Sequence, residues 1–341
     1  MAAEWALARA LRALFDVRRA GIATLAIVTG AAFGGASVLA AACEHLRFMP
    51  HARFGLSGPG VIETTHGKAE LDAGDPDAVT ALFGASARVA AGIGAAIDDD
   101  IDAVQMAIHA VARHAVRFDR AALDAWDVQL AARLGLAGLS PLAAAQASSV
   151  MPVLADAAPV DATGWLWRLR DSDIHVLRPL APLAFDPAVA VAIARAIAGG
   201  LPPQSPLVVI EDSPGHAATR IAEAIGVSEY LAAHAARLAV LQWEGRAVLG
   251  LLAGCGHSAA FFVNALQAAT LDALAGARIE AMAPDAIARV TRLTADALAA
   301  LIEEDALMGQ PVRHLAALGG VARIHAGMTG PDLRRRVAEL R

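Results

Sequence analysis

The sequence predicts a layered α/β protein built from two similar halves, and three observations carry that expectation. Helix-forming stretches alternate with short apolar runs along the whole chain, as they do where helices pack on a largely parallel sheet. The block "GIATLAIVTGAAFGGASVLAAAC" (21–43) returns as "GRAVLGLLAGCGHSAAFFVNALQ" (245–267). Gly21 falls on Gly245 and Gly30 on Gly254 at one separation, and at that separation Gly34-Gly35 falls on Ser258-Ala259. Each copy reads glycine, buried strand, glycine, a pair of small residues, apolar helix, so the pair points to an internal duplication. Finally, 57% of the 341 residues are hydrophobic, enough to fill two cores at about 100–200 residues per domain.

Taken in order, the opening "MAAEWALARALRALFDVRRAG" reads as an amphipathic helix with Trp5, Leu7, Leu11, Leu14 and Phe15 near one face. Gly21 ends it. "ATLAIVT", bounded by glycines, reads as a buried strand, and a second helix is expected from near Gly34 through "ASVLAAACEHL". The uncharged stretch 23–43 is long enough to cross a bilayer at roughly 20 residues. A spanning helix has no need to repeat a glycine pattern at a strand-to-helix turn, so a membrane is not an expected partner. "RFMPHARFGLSGPGVIE" reads as short strands and tight turns. Helices follow at about 75–91, 100–114 and 120–134. Residues 135–165, rich in alanine, proline and serine, read as a linker between domains at 1–134 and 166–341. In the second half "DIHVLRPLAPLAF" is a strand and loop. Asp186-Pro187 opens a helix that Gly199 and Gly200 close. "PLVVIEDS" and "AVLGLLA" are buried strands flanking a helix at about 217–242.

Charge and composition narrow the function. The net charge is −6, Lys68 is the single lysine and no basic run is interleaved with aromatics, which argues against nucleic acid. Cys43 and Cys255 stand far apart and provide neither a disulfide framework nor a four-ligand zinc site. The N-terminus lacks a signal-peptide layout, so a cytoplasmic location is expected. Asp98, Asp99 and Asp100 read as the acidic start of a helix rather than a metal site, and the histidines show no ligand spacing, so no metal is expected. "LRRRV" near the C-terminus reads as a solvated helix end.

The repeated bend suggests a chemistry. Small residues let a ligand approach the backbone, and the first amides of the following helix have no partner within that helix. Two such amides about 3 Å from one oxygen form an oxyanion hole. The alternative is that small residues merely let the helix pack on its strand.

The run "VTGAAFGGASVLAAACEHLRFMPHARFGLSGP" resembles the crotonase and carboxyltransferase superfamily, through Gly30, Gly34, Gly35, Cys43, Glu44, Ala52, Phe54, Gly55 and Pro59. The fold this implies is two crotonase-like ββα-superhelix domains in tandem. Within the superfamily, "ARFGLSGPGVIE" (52–63) resembles the beta subunit of biotin-independent malonate decarboxylase. "LVVIEDSPG", "VLGLLAGCGHSAAF" and "MAPDAIARVT" resemble its gamma subunit. The chain therefore resembles a beta–gamma fusion. Set against the family, the resemblance implies that the first half is an incomplete domain, with several strands and one glycine-rich turn expected ahead of the opening helix. Ser258-Ala259 stands where the family prefers Ser-Gly, and only Arg220 is clearly basic in "HAATRIAEAIG".

The resemblance implies decarboxylation of a malonyl thioester to the acetyl thioester and CO2, with the acyl group on the CoA-derived prosthetic group of an acyl carrier protein. No covalently bound cofactor is implied. The implied partners are that carrier, other malonate decarboxylase subunits and a second copy of the chain. Gly34 and Gly35 would supply the hole for the enolate oxygen, and Gly30 the tight turn. Gly254, Ser258 and Ala259 occupy the place of the second hole of related carboxyltransferases. His257 is either a general acid or a local packing residue. Glu63 either orients the thioester or is a surface acid, and Asp212 either meets a ligand at a strand end or caps a turn. Three other readings stand beside this one. A biotin-dependent carboxyltransferase subunit would need biotin from another chain, since "HGKAE" around Lys68 is unlike a biotin acceptor. A generic crotonase enzyme would carry one such domain, and an inactive homologue would serve as a scaffold.

Overall fold

The computed structural model describes residues 2–113, 116–145, 152–280, 288, 292–304 and 310–341. The first half opens with α1 (Ala2–Arg19), β1 (Leu25–Val28), β2 (Ala31–Ala32), α2 (Gly35–Ala41), β3 (His45–Phe48) and β4 (Arg53–Phe54). It continues with α3 (Pro59–His66), α4 (Pro76–Phe83), α5 (Ala85–Ala90), β5 (Ala95–Ala96), α6 (Ile101–Ala112) and α7 (Arg120–Leu136). The second half runs β6 (Ala157–Pro159), β7 (Leu166–Leu169), β8 (His175–Leu177), α8 (Pro187–Gly200), β9 (Leu207–Glu211), α9 (Arg220–Ala224) and α10 (Val227–Trp243). Then come β10 (Val248–Leu252), β11 (Cys255–His257), α11 (Ser258–Val263), β12 (Thr270–Leu274), β13 (Arg278–Glu280) and β14 (Arg323–His325). Helices Ala295–Glu304, Val312–Ala317 and Gly330–Ala338 complete the described elements.

The duplication is a duplication of topology. In each half a parallel strand leads through a bend and a helix to the strand beside it: β1 to β3, and β10 to β12. Each bend carries a two- to three-residue strand paired in parallel outside the main sheet, β2 with β4 and β11 with β13. The main sheets differ in size. The first is β1-β3-β5 and the second is the seven-stranded β14-β12-β10-β9-β8-β7-β6. Every residue of β9 and β10 is buried, which is why both read as unbroken apolar runs.

The halves share one core. Helix α10 is buried from Val227 to Leu241 except at the half-buried Glu229, and α1, α2, α7, α8 and α11 pack around it. Ala232, Ala233, Ala235, Ala236 and Ala239 let those helices approach closely. Two of its polar groups are partnered across the halves: the Tyr230 hydroxyl donates to the Leu130 carbonyl at 2.9 Å, and Arg237 pairs with Asp127 of α7. The Arg133–Glu229 pair lies nearby. Among the described residues no helix is long and apolar enough to cross a membrane.

Several elements depart from the expectation. The second helix stops at Ala41, and His45–Phe48 is a strand rather than helix. The Thr24 hydroxyl and carbonyl take the Glu44 and His45 amides and start that pairing. The 75–91 helix is broken at Gly84, where a Cβ would lie 2.6 Å from the Thr80 carbonyl oxygen. The 217–242 helix is broken at Gly226, which is left-handed. The "GVIE" segment is helical within α3. Inside the 135–165 segment, β6 pairs with β7 at the sheet edge and Leu142 accepts the Trp165 indole N–H. Asp75, Asp100, Asp119 and Asp186 do cap helices as acids at those positions should. "LRRRV" is not wholly solvated. Arg336 is buried and makes a two-pronged pair with Asp272 of β12, at 2.7 and 3.1 Å, with His325 Nε2 2.9 Å from the same carboxylate.

A second buried acid, Glu211, ends β9. Its carboxylate accepts from Asn264 Nδ2 at 2.7 Å and Ser213 Oγ at 2.8 Å. Asn264 in turn bonds His234 Nε2 at 2.9 Å. Burial pushes the Glu211 carboxyl up to about 7 against these hydrogen bonds, and burial pushes the His234 imidazole down to about 3.

Two stability predictions follow from these buried charges. Arg336→Ala strands the Asp272 carboxylate, and urea unfolding should show a loss of about 3 kcal/mol. For Glu211, the folded carboxyl keeps its proton to about pH 7 while the unfolded one ionises near 4.5. Its contribution is therefore fully present below pH 4.5 and is lost as pH rises through that window. Glu211→Gln retains an acceptor for Asn264 and does not titrate. Between about pH 5 and about pH 7 the wild type should lose on the order of 1 kcal/mol per pH unit more than the variant, read from urea midpoints at each pH.

Candidate functional site

The first bend follows β1. Gly30 leads into β2, and its carbonyl accepts from the Arg53 amide at 2.9 Å. Nothing lies within 4 Å of where its Cβ would stand, so the backbone there is open on that side. Gly34 has φ 63° and ψ −139°, a conformation that excludes other residues in practice. Gly35 is glycine for a different reason: a Cβ would lie 2.4 Å from Leu7 Cδ1 of α1. The pair therefore serves both the turn and close helix packing.

The amides are not equivalent. The Gly34 N–H donates to the Leu56 carbonyl at 2.9 Å. It is occupied by the protein's own backbone, which removes it from the expected oxyanion donors. The next two amides, of Gly35 and Ala36, have no partner among the described residues. Gly35 is half-buried and Ala36 exposed, so neither residue is sealed in the core. Ser37 closes the turn: its amide and hydroxyl both donate to the Gly34 carbonyl, at 3.0 and 2.8 Å.

The second bend follows β10 with the same connectivity. The Gly254 carbonyl accepts from the Arg278 amide at 3.0 Å, as Gly30 does from Arg53. Ser258 carries φ 51°, a left-handed turn residue at the place of Gly34. The Ala259 amide has no partner among the described residues, and its side chain is buried. Around Gly254 the two bends differ. A Cβ on Gly254 would stand 2.3 Å from the Asp212 carboxylate, and that carboxylate accepts the Cys255 amide at 2.9 Å. Gly254 itself leans on the Glu211 carbonyl at 3.3 Å. Asp212 thus fills the space that is open beside Gly30.

A polar cluster lies between the bends. Ser57 Oγ and His216 Nε2 are 3.0 Å apart. His216 Nδ1 is shielded from solvent and has no partner among the described residues. Burial, with His257 adding to it, pushes this imidazole down to about 4, so it is neutral at physiological pH. His257 precedes α11 without a side-chain capping bond and packs on Gly215, where a Cβ would meet its Nδ1 at 3.3 Å. Glu223 of α9 reaches from the second half into the first. Its carboxylate accepts the Leu56 amide at 3.0 Å and the Ser57 amide at 2.5 Å. Burial pushes it up to about 7, opposed by those amides and by Arg88. Glu63, on α3, stands apart from this cluster, accepting at 2.7 Å the Ala73 amide of the loop that follows that helix.

Ser57, His216, Glu211 and Glu223 were not singled out from the sequence. Ser57 lies inside the "ARFGLSGPGVIE" run, Glu211 inside "LVVIEDSPG", and His216 and Glu223 inside "HAATRIAEAIG"; nothing within those runs marks these four residues out from their neighbours. Met282–Thr291, part of the gamma-like resemblance, lies largely outside the described residues. Two cavities, of about 350 and 250 Å³, are lined by residues of α7, α8 and α10 and by residues around Arg18, Cys43 and Trp126. Neither is lined by a bend residue. Cys43 and Cys255 are both free, and no cluster of potential metal ligands is found among the described residues.

A search of curated proteins found no match. Among solved structures, a Pseudomonas malonate decarboxylase hetero-tetramer in complex with coenzyme A is 26% identical. That alignment covers 62% of this chain and 84% of that one, with a TM-score of 0.41. The Pseudomonas MdcD-MdcE hetero-dimer of the same enzyme is also 26% identical over 62% of this chain and 86% of that chain, with a TM-score of 0.42. A transcarboxylase 12S structure is 18% identical over 96% of this chain and 67% of that one, with a TM-score of 0.38. Residues 181–340, nearly all of the second half, match the family model of the malonate decarboxylase gamma subunit.

Proposed function

We propose that the chain takes part in decarboxylating a malonyl thioester, with the enolate oxygen held by main-chain amides of the first bend. The observation that carries this reading is the match of residues 181–340 to the gamma-subunit family, in a chain whose first half repeats the same strand–bend–helix unit. Loss of CO2 leaves its bonding electrons on the α-carbon and drives charge onto the thioester oxygen. Donors aimed at that oxygen bind the enolate more strongly than the neutral carbonyl, and so lower the barrier. The Gly35 and Ala36 amides take this role, in place of the Gly34–Gly35 pair. The open side of Gly30 leaves room for the thioester chain.

The second bend suits an anion less well on its Gly254 side, because the Asp212 carboxylate is already there. Ser258 and Ala259 are the parts of that bend left to contact substrate, with His257 beside them. The acyl group is expected on a carrier with a CoA-derived prosthetic group. Other malonate decarboxylase subunits are the expected partners, since the MdcD-MdcE protein named above is a hetero-dimer.

The test isolates one amide. Because any side chain at position 35 meets Leu7, the comparison is made in a Leu7→Ala background. There Gly35→Ala keeps the N–H and Gly35→Pro removes it. CO2 release from a malonylated carrier should fall about 100-fold or more in the proline variant. The alanine variant should stay within a few-fold of its Leu7→Ala parent. Equal turnover in the two would rule out this amide as a donor.

A further inference from the structure

We infer that Glu223, from the second half, is a positioning residue for the bend in the first: it fixes the Leu56–Ser57 peptide, whose carbonyl holds Gly34, and so aims the Gly35 and Ala36 amides. The inference rests on the decarboxylase reading for what those amides do, but its geometry stands independently. A single peptide unit carries the connection. Its N–H, that of Ser57, donates to Glu223 at 2.5 Å, and its C=O, that of Leu56, accepts the Gly34 amide at 2.9 Å. The Leu56 amide donates to the other carboxylate oxygen at 3.0 Å.

The side chain fits this task. Two successive amides point at one spot, and a carboxylate is the side chain that offers two acceptor oxygens and no donor. Gly55 makes the approach possible, since a Cβ there would lie 2.8 Å from Glu223 Oε2. Glu223 is 1% exposed, a costly setting for an acid whose only duty is to fill space. It is also held at its own backbone. Arg88, buried on α5, donates to the Glu223 carbonyl at 2.5 Å. A second tie runs parallel: Ser37, at the start of α2, bonds Ser228 at the start of α10 at 2.8 Å. The first bend is thus referenced to the second half, and not only to its own sheet.

The experiment compares Glu223→Gln and Glu223→Ala in the full chain with Asp127→Asn, which weakens the α7–α10 ion pair away from the bend. Two quantities are read: hydrogen-exchange protection of the Gly34 amide, and kcat and KM for decarboxylation. The glutamine keeps one acceptor and turns an NH2 toward the other amide. In both Glu223 variants Gly34 protection should drop at least about 10-fold while the α10 amides stay protected. The kcat should fall about 10-fold for glutamine and about 100-fold for alanine, with KM changed less than about 3-fold. Asp127→Asn should lose stability and keep kcat. Wild-type protection of Gly34 in Glu223→Ala overturns the inference, as does a fall in kcat in Asp127→Asn equal to that in Glu223→Gln. Should the wild type release no CO2, the decarboxylase reading fails, and the exchange arm alone decides for or against the Glu223 inference.

Discussion

Burial of α10 is the constraint on which the rest depends. A helix hidden along nearly its whole length must be covered on every side, and one sheet covers only one side. Here the first half supplies α1, α2 and α7, and the second supplies α8 and α11. The two halves are therefore not beads on a string. The hydrophobic core that encloses α10 contains Leu11, Phe15 and Val38 from one half, and Leu207, Val248 and Phe261 from the other. Because α2 and α11 each begin at one of the repeated bends, covering α10 also fixes where the bends sit.

Once the halves share a core, polar groups at their junction must find partners there. Buried groups without partners cost free energy. Glu223 satisfies two amides of the other half, Arg88 satisfies a carbonyl, and Ser37 and Ser228 satisfy each other. The carboxyl of Glu223 is pushed up to about 7 by the same burial, so this junction carries an acid that sits between its charged and neutral forms near neutral pH. Glu211 is a parallel case at the second bend, with Asn264 and Ser213 as donors.

Much of the fold was legible in the sequence because its signals are local. β9 and β10 are apolar runs long enough to recognise, Asp75, Asp100 and Asp186 mark helix starts, and the glycine repeat marks both bends. What escaped is set by contacts remote in sequence. The stop of α2 at Ala41 depends on β3 pairing with β1, and nothing within "ACEHL" itself breaks a helix. Arg336 looks like any arginine in a basic run until Asp272 is placed behind it. In the site, Gly34-Gly35 was readable as a pair, but not the division of labour within it. Which amide is occupied depends on Leu56, and why position 35 must be glycine depends on Leu7. Glu223 carries no local signal, because its role exists only across the junction.

The two bends show how a repeated element comes to stand in unlike surroundings. Their backbones share the same connectivity, and the bonds Arg53–Gly30 and Arg278–Gly254 correspond. The surroundings differ in charge. Beside Gly30 the space is open; beside Gly254 it holds the Asp212 carboxylate, which takes the Cys255 amide for itself. An oxygen gaining negative charge is favoured where donors stand without a competing anion, and disfavoured a few ångströms from a carboxylate. Burial acts in the same direction, since Ala259 and Ala260 are buried while their counterparts Gly35 and Ala36 are half-buried and exposed. On the proposed reading, the electrostatics favour the first bend for the oxyanion and leave the second to contacts that tolerate a neighbouring acid. That asymmetry follows from Asp212 and from the packing of α2 and α11 on α10, and it would hold even if the two bends were superimposable atom for atom.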